Sequence, residues 1–169
     1  FRSRHYAHGG AYSGASENGT CATLHTMAVN GYGTASPDTR LELNFYTGRV
    51  EVDGKYVTLD DGTPLQYMPL AVEQNLTASK YIETAGARMK KYEVDRTAYS
   101  DGRMPDNDIV LYRYADVLLM KAEAKVRNGE TGDEQLNAVR SRVGMPSLAA
   151  TLANILDERL LELVWEGWR

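Results

Sequence analysis

Cysteine, histidine and phenylalanine are scarce in this chain of 169 residues, with one, three and two copies of each. The single cysteine, Cys21, excludes an internal disulfide and so rules out a disulfide-stapled fold. Lysine and arginine number 19 against 23 acidic residues, and the net charge of −4 offers no basic surface for a nucleic acid. No run of about 18 apolar residues occurs, so no segment is predicted to cross a bilayer as a helix.

The motifs that anchor common catalytic chemistries are also missing. There is no Gly-x-Ser-x-Gly elbow, no His-Glu-x-x-His, no Walker loop and no dinucleotide-binding glycine pattern after a strand. The side chains near the N-terminus that could offer nitrogen or sulfur to a metal ion are His5, His8, Cys21 and His25. Their spacing fits no known zinc motif, and glycine-rich connections separate them. We therefore expect no metal and no cofactor.

Tyrosine, in contrast, is abundant, with 11 copies against two phenylalanines. A tyrosine ring combines an apolar face with a polar tip, which suits hydrated binding surfaces. Residues 1–36 are rich in glycine and contain Tyr6, Tyr12 and Tyr32. Because apolar periodicity survives there only from about Cys21 to Val29, we predict loops with one short helix.

Residues 39–67 favour strands. Apolar residues alternate with polar ones at Leu41, Leu43, Phe45, Val50 and Val52. Asp53-Gly54 predicts a type I′ turn, and Asp60-Asp61-Gly62 predicts a second turn. We interpret the acidic pair in that second turn as solvated and not as a calcium site, because the ligand run of a calcium loop is missing. Residues 87–94 are predicted to form a further strand.

The longest helical pattern runs from Asp106 to Gly129. Its apolar positions recur at steps of three and four residues, namely Leu111, Tyr114, Leu118, Ala122 and Val126. Asp106 or Asp108 is the predicted N-cap, because its carboxylate oxygen can accept hydrogen bonds from the first free backbone amides. Gly129 is the predicted left-handed stop. We predict two shorter helices after it, the first capped by Asp133 and ended by Gly144 and Pro146, and the second starting at Thr151.

Three glutamates at four-residue steps, Glu158, Glu162 and Glu166, share one face of the last predicted helix. Glycosidases also use two carboxylates, but these flank a cleft from opposing elements. Like charges on one ridge repel, so we predict that the ridge faces arginines in a structural network that joins the three helices. The available arginines are Arg113, Arg140, Arg142 and Arg159.

The order of residues in these helices resembles a known family. Residues 108–123, with Arg113-Tyr114-Ala115-Asp116-Val117-Leu118-Leu119-Met120 at their centre, resemble the C-terminal signature of SusD/RagB outer-membrane nutrient-binding lipoproteins. Residues 136–144 resemble the following helix of that family, and residues 157–169 the helix after it. The strand before the signature is similar to residues 90–93. Asp38-Thr39-Arg40-Leu41 is similar to the family's Asp-x-Arg-Leu segment.

The resemblance implies a mainly α fold with a small β portion, in which tetratricopeptide-like helices form part of a SusD-like α-superhelix. It implies a non-catalytic binder at the surface of the outer membrane of a Bacteroidota-type cell, attached by a lipid anchor outside this chain. Such a protein passes oligosaccharides or peptides to a SusC-like TonB-dependent transporter. Sugars in this family lie on aromatic side chains of loops, so Tyr6, Tyr12 and Tyr32 are the predicted contacts. Residues 1–95 would then be the loop- and strand-rich ligand-facing region and residues 96–169 the helical region of one incomplete domain.

Two other functions fit parts of the sequence. The helix pair within residues 109–143 resembles a tetratricopeptide unit, which favours a protein-interaction module with a protein ligand. A glycoside hydrolase built on the glutamate ridge is the third hypothesis. Saturable glycan binding without turnover distinguishes the first function from both alternatives.

Overall fold

The computed structural model describes residues 20–72, 81–92 and 108–167. The helices in these ranges are α1 (Leu24–Val29), α2 (Leu41–Asn44), α3 (Tyr114–Arg127), α4 (Asp133–Arg142) and α5 (Leu152–Leu163). The strands are β1 (Phe45–Tyr46), β2 (Glu51–Val52), β3 (Lys55–Tyr56) and β4 (Arg88–Met89), paired antiparallel as β1–β4 and β2–β3. The chain is therefore mainly helical with a small β portion, as predicted. Across these ranges, each helix is too short or too polar to traverse a bilayer.

Backbone contacts divide the chain into two compact units. Unit 1 comprises Phe1–Met27 and Glu42–Asp108, and it holds both small sheets. Unit 2 comprises Ala28–Leu41 and Ile109–Arg169, and it holds α3, α4 and α5. The two units are defined by backbone packing, which does not test ligand contact. The ligand-facing role of residues 1–95 therefore stays a prediction.

The three long helices of unit 2 pack around one apolar core. Its fully buried members are Leu119, Ala122, Leu136, Val139 and Ile155. Burial of such side chains stabilises the unit by roughly 1.5–3 kcal/mol for each of the larger ones. The approach of α4 to α3 is close, because a Cβ built on Gly132 would lie 2.7 Å from the carbonyl oxygen of Ala122. Glycine at that position is what lets the two helices meet.

The start of α3 was predicted wrongly. Asp108 does not cap the helix, since the N-cap position belongs to Arg113, whose backbone is extended at φ −131° and ψ 149°. Asp106 lies outside the described residues. Residues 109–113 are not helical, and the Arg113 side chain is held by Glu162 of α5 and by Glu166, three residues after α5 ends. These ion pairs anchor the end of an extended segment directly before the first helical turn.

The buried face of α3 also differs from the predicted stripe. Leu111 and Tyr114 were expected in the core but are 66% and 75% exposed. Leu118 and Val126 do pack against the core, as predicted, together with Ala115. At about 100° per residue, Ala115 and not Tyr114 continues the face of Leu119 and Ala122. The late start of the helix removes Leu111 from it altogether.

Most of the remaining helix boundaries, namely the ends of α3 and α4 and the start of α5, were predicted. Gly129 and Gly144 adopt left-handed conformations with φ of 77° and 71°, directly after α3 and α4. Thr151 caps α5, where its hydroxyl oxygen accepts a hydrogen bond from the amide of Asn154 at 3.1 Å. Asp133 is not a cap, because Gly132 holds that position and Asp133 Oδ1 accepts a hydrogen bond from the Ala150 amide at 2.6 Å.

Unit 1 confirms the predicted turns but not all the predicted strands. Asp53 and Gly54 both have positive φ, 51° and 75°, as a type I′ hairpin between β2 and β3 requires. In the second turn, Asp61 Oδ1 accepts hydrogen bonds from the amide and hydroxyl of Thr63. Leu41–Asn44, predicted as part of a strand, is the short helix α2, and the Leu41 amide donates to the Asp38 carbonyl at 3.0 Å in the turn that precedes it. The strand predicted at residues 87–94 is described only as Arg88–Met89.

Candidate binding site

Arg40 lies at the centre of a buried ion-pair network in unit 2. Its Nη1 donates to Glu158 Oε1 at 2.7 Å and to Glu162 Oε2 at 2.9 Å. Its Nε and Nη2 donate to the two carboxylate oxygens of Asp38, each at 2.8 Å. All four side chains are at most 4% exposed. One guanidinium thus fastens the loop before α2 to two successive turns of α5.

Three further arginines, Arg113, Arg140 and Arg142, also donate hydrogen bonds to Glu158 and Glu162. Arg140 Nη1 donates to Glu158 Oε2 at 2.7 Å, and Arg142 Nη2 donates to both oxygens of Glu162 at 2.8 Å. Arg113 Nη1 also donates to Glu162 Oε1, at 2.7 Å. These contacts confirm the prediction that the ridge faces guanidinium groups from α4 and from the start of α3.

Glu166 takes part in this network, whereas Arg159 forms an ion pair outside it. The prediction that all three glutamates lie on one helix was wrong for Glu166, which follows α5 by three residues. Glu166 still belongs to the network, since its Oε2 accepts from Arg113 Nε at 2.9 Å. Arg159 does not face the ridge but pairs with Asp116 of α3 at 2.7 Å. Arg159 joins α5 to the start of α3, and Glu166 joins the segment after α5 to the same place, so the three helices are linked by charge as well as by the apolar core.

Burial and ion pairing act in opposite directions on the acidic groups of this network. Burial alone would raise the pKa of Glu162, but hydrogen bonds from Arg113 and Arg40 outweigh it and the pKa lies below its ordinary value. The same balance lowers the pKa of Asp38, where burial is opposed by bonds from Arg40. Each carboxyl is therefore ionised at neutral pH and matched by positive charge.

This pairing decides what the glutamate ridge does chemically. A glycosidase acid needs a carboxyl whose pKa is raised, so that it can donate a proton near neutral pH. Glu162 has the opposite shift, and Glu158, only 1% exposed, is engaged by Arg40 and Arg140. Glu158 and Glu162 are therefore engaged as ion-pair partners in a structural network.

A cleft of about 250 Å³ opens in unit 2 beside this network. Polar lining residues are Ser36, Asp38, Arg140, Asn154, Asp157 and Glu158, and Gly31 contributes backbone. Apolar lining residues are Val29, Met145, Leu148 and Leu161. Asp157 is exposed, whereas Glu158 and Arg140 at the back of the cleft are buried and paired. The cleft thus combines an apolar wall with hydrogen-bonding groups that are held in place by the network.

The structure places one of the three predicted contact tyrosines. Tyr32 is half-buried in the turn between Gly31 and Gly33, which have φ of 70° and 81°. Its neighbour Gly31 lines the cleft, but the Tyr32 side chain does not. Tyr6 and Tyr12 lie outside the described residues. The proposed sugar contacts of all three therefore stay predictions.

Two residues of the network were missed by sequence reasoning. Arg40 stands 118 and 122 residues before Glu158 and Glu162, and no local period links Arg40 or its partner Asp38 to α5. The signal that was available is the Asp-x-Arg spacing itself, which allows the guanidinium to fold back on the carboxylate two residues earlier. As for metals, the ranges that the structure describes contain no cluster of three His, Cys, Asp or Glu side chains able to hold one.

The sequence model of the SusD family matches residues 5–169. This chain belongs to the SusD family. The matched range includes Asp38, Arg40 and the three glutamates. No curated protein matches the chain.

A solved structure shares the SusD-like fold. The chain is similar to surface glycan-binding protein A from Bacteroides uniformis, with a TM-score of 0.63 and 20% sequence identity. The likeness covers 98% of this chain and 33% of that protein. The SusD-family chain described here thus spans about a third of the length of its solved relative.

Proposed function

We propose that this chain is part of a non-catalytic glycan-binding protein of the cell surface. The observation that carries the proposal is its membership of the SusD family over residues 5–169. The fold shared with a protein described as a surface glycan-binding protein supports the same ligand class. A peptide ligand remains the other cargo that the family resemblance allows.

The geometry of unit 2 supports an oligosaccharide in particular. The apolar C–H face of a pyranose can cover an aromatic ring, while amide and carboxylate groups bond its hydroxyls. Tyr32 lies in the turn next to the cleft, and Asn154 and Asp157 on its rim supply an amide and a carboxylate. The Arg40 network holds the loop and α5 together, so these groups need little rearrangement on binding.

The proposal includes a partner and a location. A SusD-family binder would work with a SusC-like TonB-dependent transporter, on the outside of the outer membrane of a Bacteroidota-type cell. A lipid anchor on the full-length protein would keep it there. Co-purification of the transporter with the full-length protein from outer membranes tests this part.

A glycan array, followed by calorimetric titration with the best glycan, tests the ligand class. We expect saturable binding without release of reducing ends, and a loss of roughly two- to tenfold in affinity for Tyr32→Ala, Tyr6→Ala or Tyr12→Ala if that ring stacks on a sugar. Tyr114→Ala is the matched control, because this tyrosine is 75% exposed on α3 and away from the cleft residues. Release of reducing ends would instead support a hydrolase, and binding of no glycan would reject the proposal.

A protein-interaction module is the second candidate, and one observation favours it. Val117 and Met120, three residues apart on α3, are each 48% exposed. Exposed apolar side chains on one helix face are a common feature of protein interfaces. Under this hypothesis Met120→Glu abolishes capture of a protein partner and leaves glycan binding unchanged.

A further inference from the structure

The chain segment from Arg49 to Met68 in unit 1 has two chemically different faces. Alternate residues are buried, namely Val50, Val57, Leu65 and Tyr67, none of them more than 9% exposed. The residues between them are exposed, namely Arg49, Glu51, Tyr56, Thr58, Pro64 and Gln66. This alternation of period two is that of a half-buried sheet. The outward residues therefore form one solvent-facing surface.

Strand register brings the outward side chains together. Glu51 lies opposite Tyr56 in the β2–β3 hairpin, and Arg49 lies opposite Gln66 in an antiparallel bridge. Residues directly opposite each other in antiparallel strands have side chains about 4.5–5.5 Å apart on the same face. Thr58, two residues after Tyr56, extends the same row. We call these five residues the Tyr56 face.

A single aromatic ring lies in this surface. Tyr56 is 55% exposed, and the Arg49 guanidinium stacks over its ring at 4.1 Å from the centroid. A cation at this distance from a tyrosine ring is attracted by the ring quadrupole and restricts both side chains. More than half of Tyr56 nevertheless remains accessible, although leaving it in water forgoes the stabilisation that burial would bring.

The groups around the ring are free to bind a ligand. Within the described ranges, the side chains of Glu51, Thr58 and Gln66 form no hydrogen bond with another residue. Glutamate, glutamine and arginine are planar groups, each with two neighbouring acceptors or donors. Such a pair matches the vicinal hydroxyls of a sugar ring, and the apolar C–H face of the same ring matches an aromatic side chain.

We propose that the Tyr56 face is an oligosaccharide-binding surface, separate in sequence from the predicted Tyr6, Tyr12 and Tyr32 contacts. A pyranose ring lies on Tyr56, and its hydroxyls bond Arg49, Glu51 and Gln66. A protein partner fits this surface less well, because the five residues of the Tyr56 face comprise one ring and four polar side chains, which do not form a contiguous apolar patch. The inference rests on the proposed function, since it names a second place at which the same class of ligand binds.

Affinity electrophoresis of the full chain in native gels tests the inference. The probes are amylopectin, xyloglucan, mixed-linkage β-glucan, arabinoxylan and galactomannan, each cast into the gel over a concentration series. The variants are Tyr56→Ala, Tyr56→Phe and Gln66→Ala, with Tyr114→Ala as the control for loss of an exposed tyrosine. Because Tyr56 and Gln66 are exposed, thermal melts of these variants should stay close to that of the parent chain.

We expect the polysaccharide that retards the parent chain to bind Tyr56→Ala roughly two- to tenfold more weakly, while Tyr56→Phe and Tyr114→Ala match the parent. Gln66→Ala should weaken binding to a smaller extent. If the parent is retarded and Tyr56→Ala is retarded equally, the Tyr56 face is rejected and the proposed function stands. If none of the five polysaccharides retards the parent chain, the proposed glycan binding itself is rejected, and this inference with it.

Discussion

Arg40 illustrates how one residue can determine the arrangement of distant segments. Its guanidinium is 4% exposed and contacts three carboxylates, two of them on α5. Removing water from a charge is costly, so such a group is stable only when its partners are fully in place. Burial alone would lower the pKa of Arg40, yet its hydrogen bonds with Asp38 and Glu158 raise it, and the residue stays charged.

Replacement of Arg40 should therefore cause a large loss of stability. We expect Arg40→Met to reduce the free energy of unfolding by about 3–5 kcal/mol, because Asp38, Glu158 and Glu162 would keep their buried charges with fewer partners. Urea denaturation monitored by circular dichroism measures this difference. Arg127→Met is the matched control, since its pair with Glu123 is exposed and should contribute only about 0.3–0.5 kcal/mol. Equal effects of the two substitutions would contradict the assigned role of Arg40.

The sequence predicted the glutamates of the network and the need for arginines, but it did not predict the part played by Asp38 and Arg40. Glu158 and Glu162, four residues apart on α5, share a helix face, so the need for arginine partners could be derived. The choice among arginines could not, because Arg40 is 118 residues from Glu158 and Arg159 faces Asp116 instead. Which arginine pairs with which distant carboxylate depends on the path of the folded chain, and a local sequence pattern does not contain that information.

Among the secondary-structure elements, the contact between α3 and α4 depends on a single glycine. A Cβ at Gly132 would lie 2.7 Å from the Ala122 oxygen and 3.0 Å from its Cα, and both of these are backbone atoms. We expect Gly132→Ala to lower the free energy of unfolding by about 1–3 kcal/mol, as overpacking does in a close-packed core. Thermal unfolding measures the effect.

Gly48→Ala is the appropriate comparison for this substitution. Nothing lies within 4 Å of a Cβ built on Gly48, and its backbone is not in the left-handed region. Its effect should fall within about 0.5 kcal/mol. A destabilisation by Gly132→Ala no greater than that by Gly48→Ala would show that the helices have room to separate.

A second prediction concerns the N-cap residue of α5, Thr151. The hydroxyl oxygen of Thr151 accepts from the amide of Asn154 at 3.1 Å, which satisfies one of the free donors at the helix start. Thr151→Ala should reduce the free energy of unfolding by about 1 kcal/mol, whereas Thr151→Ser should retain most of it. Chemical denaturation of both variants decides the point, and equal stability of the alanine variant and the parent would exclude a role for the cap.

Helix ends proved more predictable than helix beginnings. Gly129 and Gly144 could be assigned from sequence, because a left-handed residue is chiefly a glycine property. The start of α3 could not, because the Arg113 backbone is kept extended next to ion pairs with Glu162 and Glu166. Tyr114 consequently lies on the exposed side of the first turn, although its spacing matches the apolar period.

Stability of the whole molecule should depend on pH through the same network. The pKa values of Asp38 and Glu162 are lowered in the folded chain from ordinary values of 3.8 and 4.5. Since each carboxyl binds protons more tightly when unfolded, protonation favours the unfolded state. The contribution is therefore complete well above 4.5 and is lost as the pH falls below these values through the lowered folded-state pKa values.

Urea titrations at pH values from about 7 to about 2.5 test this dependence. We expect the free energy of unfolding to change little at the upper end and to fall steadily below the ordinary carboxyl range. Glu162→Gln should be less stable at neutral pH and should show a shallower acid dependence, because one of the linked groups is gone. A parent chain whose stability is unchanged throughout that range would refute the assigned ion pairs.

Local spacing and residue order were enough to predict the mainly helical class, the glycine stops, the Asp53-Gly54 hairpin and the family. The four-residue spacing of the glutamates also predicted that they need cationic partners. Tertiary packing, in contrast, was needed to show that Arg40 supplies the central cation, that Tyr114 faces water, and that Arg49, Glu51 and Gln66 lie around Tyr56. These three depend on segments far apart in the chain or on strand register, and local periodicity contains neither.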